Sequence, residues 1–454
     1  MGTINRHVLP QAALTRSRLP LGNYGWLIYG LVPCPPRSEA ELREIAAAMT
    51  TGGDEHPTLA AGYTYFGQLI NHDLSFQSAT AGQLRSDPDS LHNFRTPAFD
   101  LDCLYARGPQ DQPYLYLRDD PAKLLTGRAD GFFDLPRNIS EQALVGDPRN
   151  DEQILVAHFH LALIQLHNQV VDRLRAEGVP EPEVFERARC LVTWHYQWVV
   201  LHDYLPQILQ PRVLENLKGL MFAGRKARRG LSHFVPSLSP YLPLEFVGAA
   251  YRFGHSMVRE SYILNADLNT QRGGKPIPTF SMDGDNLRGG RLVPAGWFVD
   301  PALFLDFGDG KYQRALRIDT HLSSALAQVP VGNNSESLAY LDLKRGQDFG
   351  LPSGQALAQA MGIPVLDPSQ AEIGSAIETP LWYYILKEAE VQTAGLYLGE
   401  LGSTIVGEVI VGLMLMDPAS FLSRDPAWQP TLREGGHFTL RDLVQYAFTG
   451  ESTP

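Results

Sequence analysis

A long helical pattern occupies the segment from Asn150 to Gly178, NDEQILVAHFHLALIQLHNQVVDRLRAEG. Apolar side chains recur along it at intervals of three and four residues, which places them on the same side of an α-helix. Gly178 stands where a helix C-cap belongs, because glycine readily adopts the left-handed backbone that ends many helices. The segment therefore predicts one long helix. Its apolar positions at this spacing include Ile154, Leu155, Phe159, Ala162, Leu163, Leu166, Val170 and Leu174.

Other segments follow the same helical rule, and convincing strands are scarce. Ser38 precedes the run up to Met49 and has Glu41 three residues later, which is the capping box of a helix start. Helical patterns also cover 181–209, 244–258 and 381–391. The 33 prolines and 41 glycines are spread along the chain, which indicates short elements and long connections. We expect a mainly α fold, with a helical core, few short strands and long loops.

Composition and charge exclude some classes of partner. The 454 residues carry a net charge of −12, which argues against a nucleic-acid partner, since such partners favour basic stripes. No apolar run approaches the roughly 18 residues of a membrane span, so none is expected. The N-terminus lacks a signal-peptide core, and the three cysteines (Cys34, Cys103 and Cys190) suggest reduced thiols. We expect a cytoplasmic protein, or one exported without a cleavable signal peptide.

The apolar stretch GYTYFGQLINHDLSF, residues 62–76, contains four polar side chains that need an explanation. Burying such groups costs a few kcal/mol each unless they are paired. Gln68 lies four residues before His72, so the two share one helix face, and Asp73 points elsewhere. The stretch therefore predicts that Gln68 and His72 face one cavity and that Asp73 serves a second site.

A second polar segment, RTPAFDLD, offers oxygen ligands at alternating positions. Thr96, Asp100 and Asp102 are separated by residues whose carbonyl oxygens are also available. Such an array suits a hard cation such as Ca²⁺, which takes six to eight oxygen ligands. A plain aspartate-rich turn is the alternative interpretation, because the spacing differs from an EF-hand loop.

The segment GDPRNDE, residues 146–152, precedes the longest helical pattern. It places Arg149 near the start of that helix and Asp151 and Glu152 in its first turn. The simplest interpretation is that the acids complement the helix dipole and that Arg149 is solvated.

The segment YRFGH, residues 251–255, places His255 directly after Gly254 in an apolar helical pattern. Glycine inside a helix costs up to about 1 kcal/mol relative to alanine, so its presence indicates the close approach of something flat or bulky. A haem plane with His255 as axial ligand would fit. Asp342, in another apolar run, is a candidate partner for the second ring nitrogen of a metal-bound histidine. His158 and His160 point to different helix faces, so a shared metal there is not expected.

Taken together, FGQLINHDL, GDPRNDE…LHN, YRFGH and RGQDFGLPSG resemble signatures of the animal-type haem peroxidases, in the peroxidase–cyclooxygenase superfamily, and particularly its short bacterial members. The four segments occur in the family's order, from about Tyr63 to the last helices. The resemblance implies a single haem peroxidase domain over residues 1–454, in which residues 1–60 are an N-terminal extension that packs on the core.

The resemblance also implies roles for individual residues. It implies haem b and Ca²⁺ as cofactors, and H₂O₂ and a small-molecule electron donor as partners. On the peroxide side, His72 resembles the distal histidine, Gln68 the distal glutamine and Arg149 the distal arginine. His255 resembles the proximal iron ligand, and Arg252 and Arg345 resemble arginines that face the haem propionates. The implied calcium ligands are Asp73, Thr96, the carbonyl of Ala98, Asp100 and Asp102.

Three positions, Asn71, Gln153 and Asp342, depart from the better-known members of the family. Asn71 replaces an aspartate that esterifies a haem methyl, and Glu152 matches the second ester-forming acid, so at most one ester is expected. Gln153 stands where one member has a sulfonium-forming methionine. Such a haem should be less oxidising, so efficient chloride oxidation is not expected. Asp342 replaces the usual asparagine beside the proximal histidine, which would give His255 imidazolate character.

Three alternatives remain open at this stage. A fatty-acid dioxygenase of the same superfamily would use a tyrosine three residues before the proximal histidine. That position is Arg252 here, and Tyr251 should point differently on a helix. A specialised haem oxidase or halogenase would use the same haem chemistry on one substrate. A haem-binding sensor without turnover would need neither His72 nor Arg149.

Overall fold

The computed structural model describes residues 23–76, 93–129, 131–223, 230–235, 240–281, 284–331, 334–371, 378–433 and 435–450. Helices dominate these residues, and the strands are two or three residues long apart from one of six residues. The prediction of a mainly α chain with few short strands and long loops is therefore confirmed.

Nine helices of ten or more residues form the framework within the described ranges. They are α1 (Glu39–Met49), α2 (Gly62–Leu74), α3 (Ile154–Ala176), α4 (Glu181–Val199), α5 (Pro211–Ala223), α6 (Leu338–Asp348), α7 (Leu381–Thr393), α8 (Glu400–Met416) and α9 (Leu440–Thr449). Shorter α-helical segments are Asp102–Tyr105, Leu205–Ile208, Leu244–Gly248, Ala266–Gln271, Gly354–Ala360, Pro368–Ala371 and Phe421–Arg424.

The strands form two-stranded pairs rather than one sheet. They are β1 (Asn23–Gly25), β2 (Glu55–Ala60), β3 (Gly127–Ala129), β4 (Phe132–Asp134), β5 (Tyr241–Pro243), β6 (Ser261–Tyr262), β7 (Ile277–Pro278), β8 (Arg314–Leu316), β9 (Val329–Val331) and β10 (Asn334–Glu336). β1 and β5 are parallel, while β2 with β8, β3 with β4, β6 with β7 and β9 with β10 are antiparallel.

The central helix is α3, which packs against α2, α4 and α9. The side chain of Gln153 caps its start by accepting hydrogen bonds from the N–H groups of Leu155 and Val156. Gly178, with φ of 78°, follows its end in the left-handed region. Among the described residues, α3 is also the one helix long and apolar enough to cross a membrane, but 83% of its most apolar stretch is buried inside the protein. This degree of burial is typical of a helix in the core of a globular protein.

The prediction of one helix over 244–258 was wrong. An α-helix covers Leu244–Gly248, the backbone breaks at Ala249 with φ −142° and ψ −68°, and a 3-10 turn follows at Ala250–His255. The break lies beside Gly248, whose backbone packs so closely on the Phe349 side chain that an added Cβ would lie 2.7 Å from it. Tertiary packing therefore overrides the helical pattern and turns His255 toward the interior of the protein.

The segment predicted as a helix over 181–209 is interrupted by a wider turn. α4 is followed by a π-helical turn at Val200–Tyr204 and then by the short helix Leu205–Ile208. A Cβ added to Gly67 of α2 would lie 2.4 Å from the Tyr204 hydroxyl, so only glycine admits this approach. Such π-helical turns are often found at functional sites.

The described part of the N-terminal segment packs on the rest of the chain at several points. β1 pairs with β5, and the buried Glu245 carboxylate accepts hydrogen bonds from the N–H groups of Leu27 and Ile28. The predicted capping box of α1 is present, with Ser38 and Glu41 bonding reciprocally, and α1 packs on α6.

Candidate active site

A cavity of about 460 Å³ lies between α2 and the 3-10 turn Ala250–His255. Its size falls within the range of roughly 300–1,000 Å³ that is usual for ligand and cofactor sites. It brings together residues that are far apart in the sequence. Among those lining it are Gln68, Asn71, His72, Arg149, Glu152, Arg252, His255 and Arg345.

His72 lies in the last turn of α2 and is held by a chain of side-chain hydrogen bonds. Its Nδ1 lies 2.8 Å from Asn150 Oδ1, and Asn150 Nδ2 lies 2.9 Å from His160 Nδ1. All three residues are nearly or fully buried. Because the Asn150 amide donates through Nδ2 to His160, its Oδ1 accepts from the Nδ1–H of His72. This arrangement leaves Nε2 of His72 as the nitrogen with a free lone pair.

Burial and charge both keep His72 uncharged. Burial is the larger cause and the nearby Arg149 guanidinium the second, and together they lower the pKa of His72 to about 3. Burial likewise lowers the pKa of His160 to about 4. Two neutral imidazoles joined through one amide are therefore the state expected near neutral pH.

The prediction that Asp151 and Glu152 lie in the first turn of the long helix was wrong, because that helix starts after both of them. Arg149 lies shortly before the helix, near where the sequence placed it. It belongs to a separate 3-10 turn, Pro148–Asp151, which Asp147 caps, and α3 begins only at Ile154. Its Nε donates to Asp147 Oδ1 at 3.1 Å, and its Nη2 donates to the carbonyls of His72, at 3.1 Å, and Ser75. Nη1 has no hydrogen-bond partner in the part of the chain that the structure describes. Arg149 is thus fixed beside the last turn of α2 and is not a freely solvated arginine.

Two further side chains line the cavity on the side of α2. Gln68 is half-buried, one helical turn before His72, so the predicted common face is present. Glu152 also faces the cavity, and burial raises its pKa above the ordinary value. Asn71 and Gln153 line the cavity as well.

On the opposite wall, His255 ends the 3-10 turn and contacts a buried carboxylate. Its Nδ1 lies 2.5 Å from Asp342 Oδ2, and Asp342 is 1% exposed. Burial opposes ionisation of Asp342, but its contact with His255 and the charge of Arg252 outweigh burial and hold the pKa of Asp342 below its ordinary value. The other ring nitrogen, Nε2, is therefore available for a ligand.

Two arginines occupy the edge of the cavity. Arg252 Nη1 donates to Asp342 Oδ1 at 3.0 Å, and its Nε donates to the Val247 carbonyl at 2.9 Å. The charge of Arg252, followed by burial, lowers the pKa of Arg345 to about 10. Two partly buried guanidiniums at the edge of one cavity form a site for negatively charged groups.

A carboxylate cluster includes Asp73 of the last turn of α2, and none of its members is among the residues that line the cavity. Ligand oxygens of Asp73, Asp100 and Asp102 all lie within 4.8 Å of one another. Leu101, between two of them, has φ of 56°, a conformation that is rare for a residue with a branched side chain. Burial, followed by the charge of Asp102, raises the pKa of Asp73. Thr96 and Ala98 lie in the same loop, where the Ala98 N–H donates to the Thr96 carbonyl.

The residues present fit both groups that the sequence suggested. Asp73 Oδ1 is buried without a hydrogen-bond partner among the described residues, which suits an oxygen-binding cation such as Ca²⁺. In the cavity, a Cβ added to Gly254 would meet no atom within 4 Å, so this glycine leaves open space beside His255. An imidazole, open space beside it and two arginines form a donor set that suits an iron porphyrin with two carboxylates.

Several cavity residues were not singled out from the sequence. Tyr24 reaches the cavity from β1, and burial raises its pKa to about 12. Tyr251 was expected to point elsewhere on a helix, but in the 3-10 turn it lines the cavity, and its hydroxyl lies 3.3 Å from that of Tyr204. Asn150 and His160 were also missed as a pair. Asn150 lies in the GDPRNDE segment, but only the fold shows its partners.

The chain belongs to the animal haem peroxidase family, whose members bind haem. The family model described as animal haem peroxidase matches residues 110–377. Heme peroxidase 2 of Caenorhabditis elegans is 25% identical over 233 residues, covering 49% of this chain and 30% of that protein. Thyroid peroxidase of Homo sapiens is 26% identical over 244 residues, covering 52% of this chain and 24% of that protein. The chain thus matches about a quarter to a third of the length of these relatives.

Solved structures show the same fold. Peroxidase A of Dictyostelium discoideum superimposes with a TM-score of 0.63 at 15% identity, covering 97% of this chain and 94% of that one. A fatty acid alpha-dioxygenase of Arabidopsis thaliana superimposes with a TM-score of 0.60 at 15% identity, covering 95% of this chain and 76% of that one. At these identities the likeness concerns the fold.

Proposed function

We propose that this protein is a haem-dependent peroxidase that reduces H₂O₂ and oxidises an organic or small anionic donor by one electron at a time. The observation that carries the proposal is the placement of His72 with Arg149 on one wall of a single cavity and His255 on the other. We further propose haem b as the cofactor, no nucleic-acid or membrane partner, and a cytoplasmic location or export without a cleavable signal peptide. The short bacterial branch and a single domain over 1–454 remain predictions.

The proximal wall would hold the cofactor. His255 would ligate the iron through Nε2, with Asp342 orienting the ring through Nδ1, and Arg252 and Arg345 would bind the two propionates. Glu152, which faces the cavity, is the one candidate for an ester link. When bound, haem would supply the redox chemistry of the reaction, while the protein sets orientation and electrostatics.

The distal residues would move the protons of the peroxide. Nε2 of His72, neutral and unprotonated, would accept a proton from one oxygen of the peroxide and return it to the other oxygen as the O–O bond breaks, so that the second oxygen would leave as water. His72 thus acts first as base and then as acid. Arg149 stabilises the negative charge that develops on the departing oxygen. Gln68 orients the peroxide or a water molecule on the same face of α2.

The carboxylate cluster would hold Ca²⁺ through Asp73, Thr96, the Ala98 carbonyl, Asp100 and Asp102. Since Asp73 follows His72 directly, the cation would fix the last turn of α2 and thereby the position of the distal imidazole.

A steady-state assay tests the proposed activity. The protein is purified with hemin and supplied with H₂O₂ and a one-electron donor, either an aromatic amine or iodide. We expect two donor molecules to be oxidised, by one electron each, for every molecule of H₂O₂ that is reduced to water. A protein that binds hemin but leaves both reagents unchanged contradicts the proposal.

A fatty-acid dioxygenase is the second candidate function, and two observations favour it. Solved fatty acid alpha-dioxygenases share the fold, and Tyr251 lines the cavity beside Tyr204. Against it, the position three residues before His255 is Arg252, which is bonded to Asp342. Oxygen uptake by the haem-loaded protein with palmitate distinguishes the two, because a peroxidase consumes no O₂ with this substrate.

A further inference from the structure

The buried carboxylate of Asp147 lies between two guanidiniums. Arg149 donates to it through Nε and through Nη2, the latter at 2.7 Å to Oδ2. Arg95 donates to the same Oδ2 through its own Nη2 at 2.8 Å. Asp147 has no exposed side-chain surface, so it cannot exchange these partners for water. The orientation of Arg149 therefore depends on where Arg95 lies.

The other terminal nitrogen of the Arg95 guanidinium contacts the carboxylate cluster. Nη1 of Arg95 lies 3.2 Å from Asp102 Oδ1, and the Arg95 side chain is 11% exposed. Its Nε is buried without a hydrogen-bond partner among the described residues. One planar guanidinium thus spans two acids, one in the cluster and one beside the cavity, which a lysine ammonium could not do in the same way.

A second contact joins the two arginines through an aromatic ring. The Cζ of Arg149 lies 4.8 Å from the centroid of the Phe76 ring, and the Cζ of Arg95 lies 5.6 Å from it. Both distances are within the range of roughly 6 Å in which a cation and a ring attract each other. A displacement of Arg95 would therefore reach Arg149 through Phe76 as well as through Asp147.

The electrostatic attraction between Arg95 and the carboxylate cluster depends on the net charge of the cluster. Asp73, Asp100 and Asp102 gather three carboxylates, and Arg95 is the guanidinium that contacts them among the described residues. A bound divalent cation would take up much of their negative charge and leave Arg95 free to bind Asp147 in full. Without the cation, the cluster would draw Arg95 away from Asp147.

We propose that Arg95 is a positioning residue that couples cation binding at the carboxylate cluster to the orientation of Arg149. This inference rests on the proposed function, in which the cluster binds Ca²⁺ and Arg149 acts on the distal side. Coupling between two binding sites is reciprocal, so the cation should change the affinity of a distal ligand by the same factor by which that ligand changes the affinity for the cation.

Equilibrium binding of cyanide to the haem-loaded protein tests the coupling without turnover. The dissociation constant is measured from the Soret band with saturating Ca²⁺ and again with the cation removed by a chelator, and Ca²⁺ affinity is measured by calorimetry. In the unsubstituted protein we expect Ca²⁺ to tighten cyanide binding by about fivefold or more, the usual lower range for coupled sites. In Arg95→Gln the ratio should fall to about one.

The Ca²⁺ affinity of Arg95→Gln is a second measurement, and the direction of its change distinguishes the proposed role from damage to the fold. Removing a positive charge beside Asp102 should strengthen Ca²⁺ binding, whereas general damage to the loop should weaken it. Arg95→Lys keeps the charge but cannot span both acids, so its cyanide ratio should also fall toward one, even if Arg95→Gln does not fold. Arg189→Gln is the matched control, because Arg189 is similarly buried but pairs with Glu186 on α4, and it should keep the full ratio.

The outcomes separate the inference from the proposed function. If the unsubstituted protein binds no Ca²⁺ or no haem, the proposed function fails. If it binds both and Ca²⁺ leaves cyanide affinity unchanged, or if Arg95→Lys and Arg95→Gln retain the full ratio, the role of Arg95 is overturned while the cofactor sites stand.

Discussion

Nδ1 of His72 donates a hydrogen bond to Oδ1 of Asn150 over 2.8 Å, and this contact fixes which nitrogen of the imidazole faces the cavity. The bond crosses from the end of α2 to the 3-10 turn that carries Arg149. It therefore ties together the two side chains to which the proposed peroxide chemistry is assigned.

Replacing Asn150 with leucine should leave His72 in place but remove the hydrogen bond that fixes the orientation of its ring. Leucine has a similar size but neither accepts from His72 nor donates to His160. We expect the rate of reaction with H₂O₂ to fall by about 10- to 100-fold, because small misplacements of a reacting group have effects of this size. Stopped-flow absorption of the haem-loaded variant measures it. Asn168→Leu, on the outer part of α3, is the control, and an equal loss in both variants would contradict the specific role of Asn150.

The carboxylate behind His255 should set the reduction potential of the cofactor. In Asp342→Asn, the neutral amide accepts a weaker hydrogen bond from Nδ1–H of His255 than the carboxylate does, so the ring donates less electron density and ferric haem loses stabilisation. We expect the potential to rise by tens of millivolts, measured by spectroelectrochemistry. Asp348→Asn, on the same helix and paired with Lys344, should leave the potential unchanged. A shift of equal size in both variants would show a general effect of charge.

We predict that Glu152 determines whether haem is covalently held. If an ester forms after turnover with H₂O₂, acid-acetone should leave haem with the protein, and Glu152→Gln should release all of it. Asn71→Gln is the matched control, because Asn71 also lines the cavity but neither amide can form an ester, and it should leave the retained fraction unchanged. Retention of haem in Glu152→Gln would assign the link to another residue.

Acid should destabilise the protein through its buried neutral histidines. Burial lowers the pKa of His158 to about 4, and its ring stacks on Phe448 at 5.3 Å. Because the unfolded chain takes up this proton at a higher pH than the folded one, the contribution of His158 is present above about pH 6.5 and is lost as the pH falls toward 4.

His158→Phe should remove the part of the acid destabilisation that comes from His158, while an aromatic ring still stacks on Phe448. Nε2 of His158 has no hydrogen-bond partner among the described residues, so the substitution removes no known bond. The free energy of unfolding should fall in both proteins when the pH is lowered from 7 to 4. We expect the fall in His158→Phe to be smaller than in the unsubstituted protein by about 1–3 kcal/mol. Denaturant titrations at several pH values measure this. A parallel decline in both proteins would mean that His158 titrates normally in the fold.

The sequence predicted much of the fold, because the features that identify it are local. The capping box of α1, the apolar period of α3 and the shared face of Gln68 and His72 all depend on residues within a few positions of one another. These features lie where the sequence placed them.

The remaining features depend on contacts between distant segments. The helical pattern over 244–258 breaks because Gly248 packs against Phe349, about 100 positions later, and no local period reports such a contact. Asp151 and Glu152 were misplaced for a different reason, since Asp147 and Pro148 begin a separate turn that the adjoining helical pattern conceals. Arg95 gave no signal at all, because its two acids lie in different loops.

The central claim, that haem lies between His72 and His255, is tested most directly by hemin titration followed by stopped-flow mixing with H₂O₂. The comparison uses the unsubstituted protein, His72→Ala and His255→Ala. We predict that His72→Ala binds one haem with an unchanged proximal ligand but reacts with H₂O₂ about 100- to 10,000-fold more slowly. His255→Ala should lose the axial histidine signature in its absorption and electron paramagnetic resonance spectra. Unchanged haem ligation in His255→Ala, or an unchanged rate in His72→Ala, would contradict the claim.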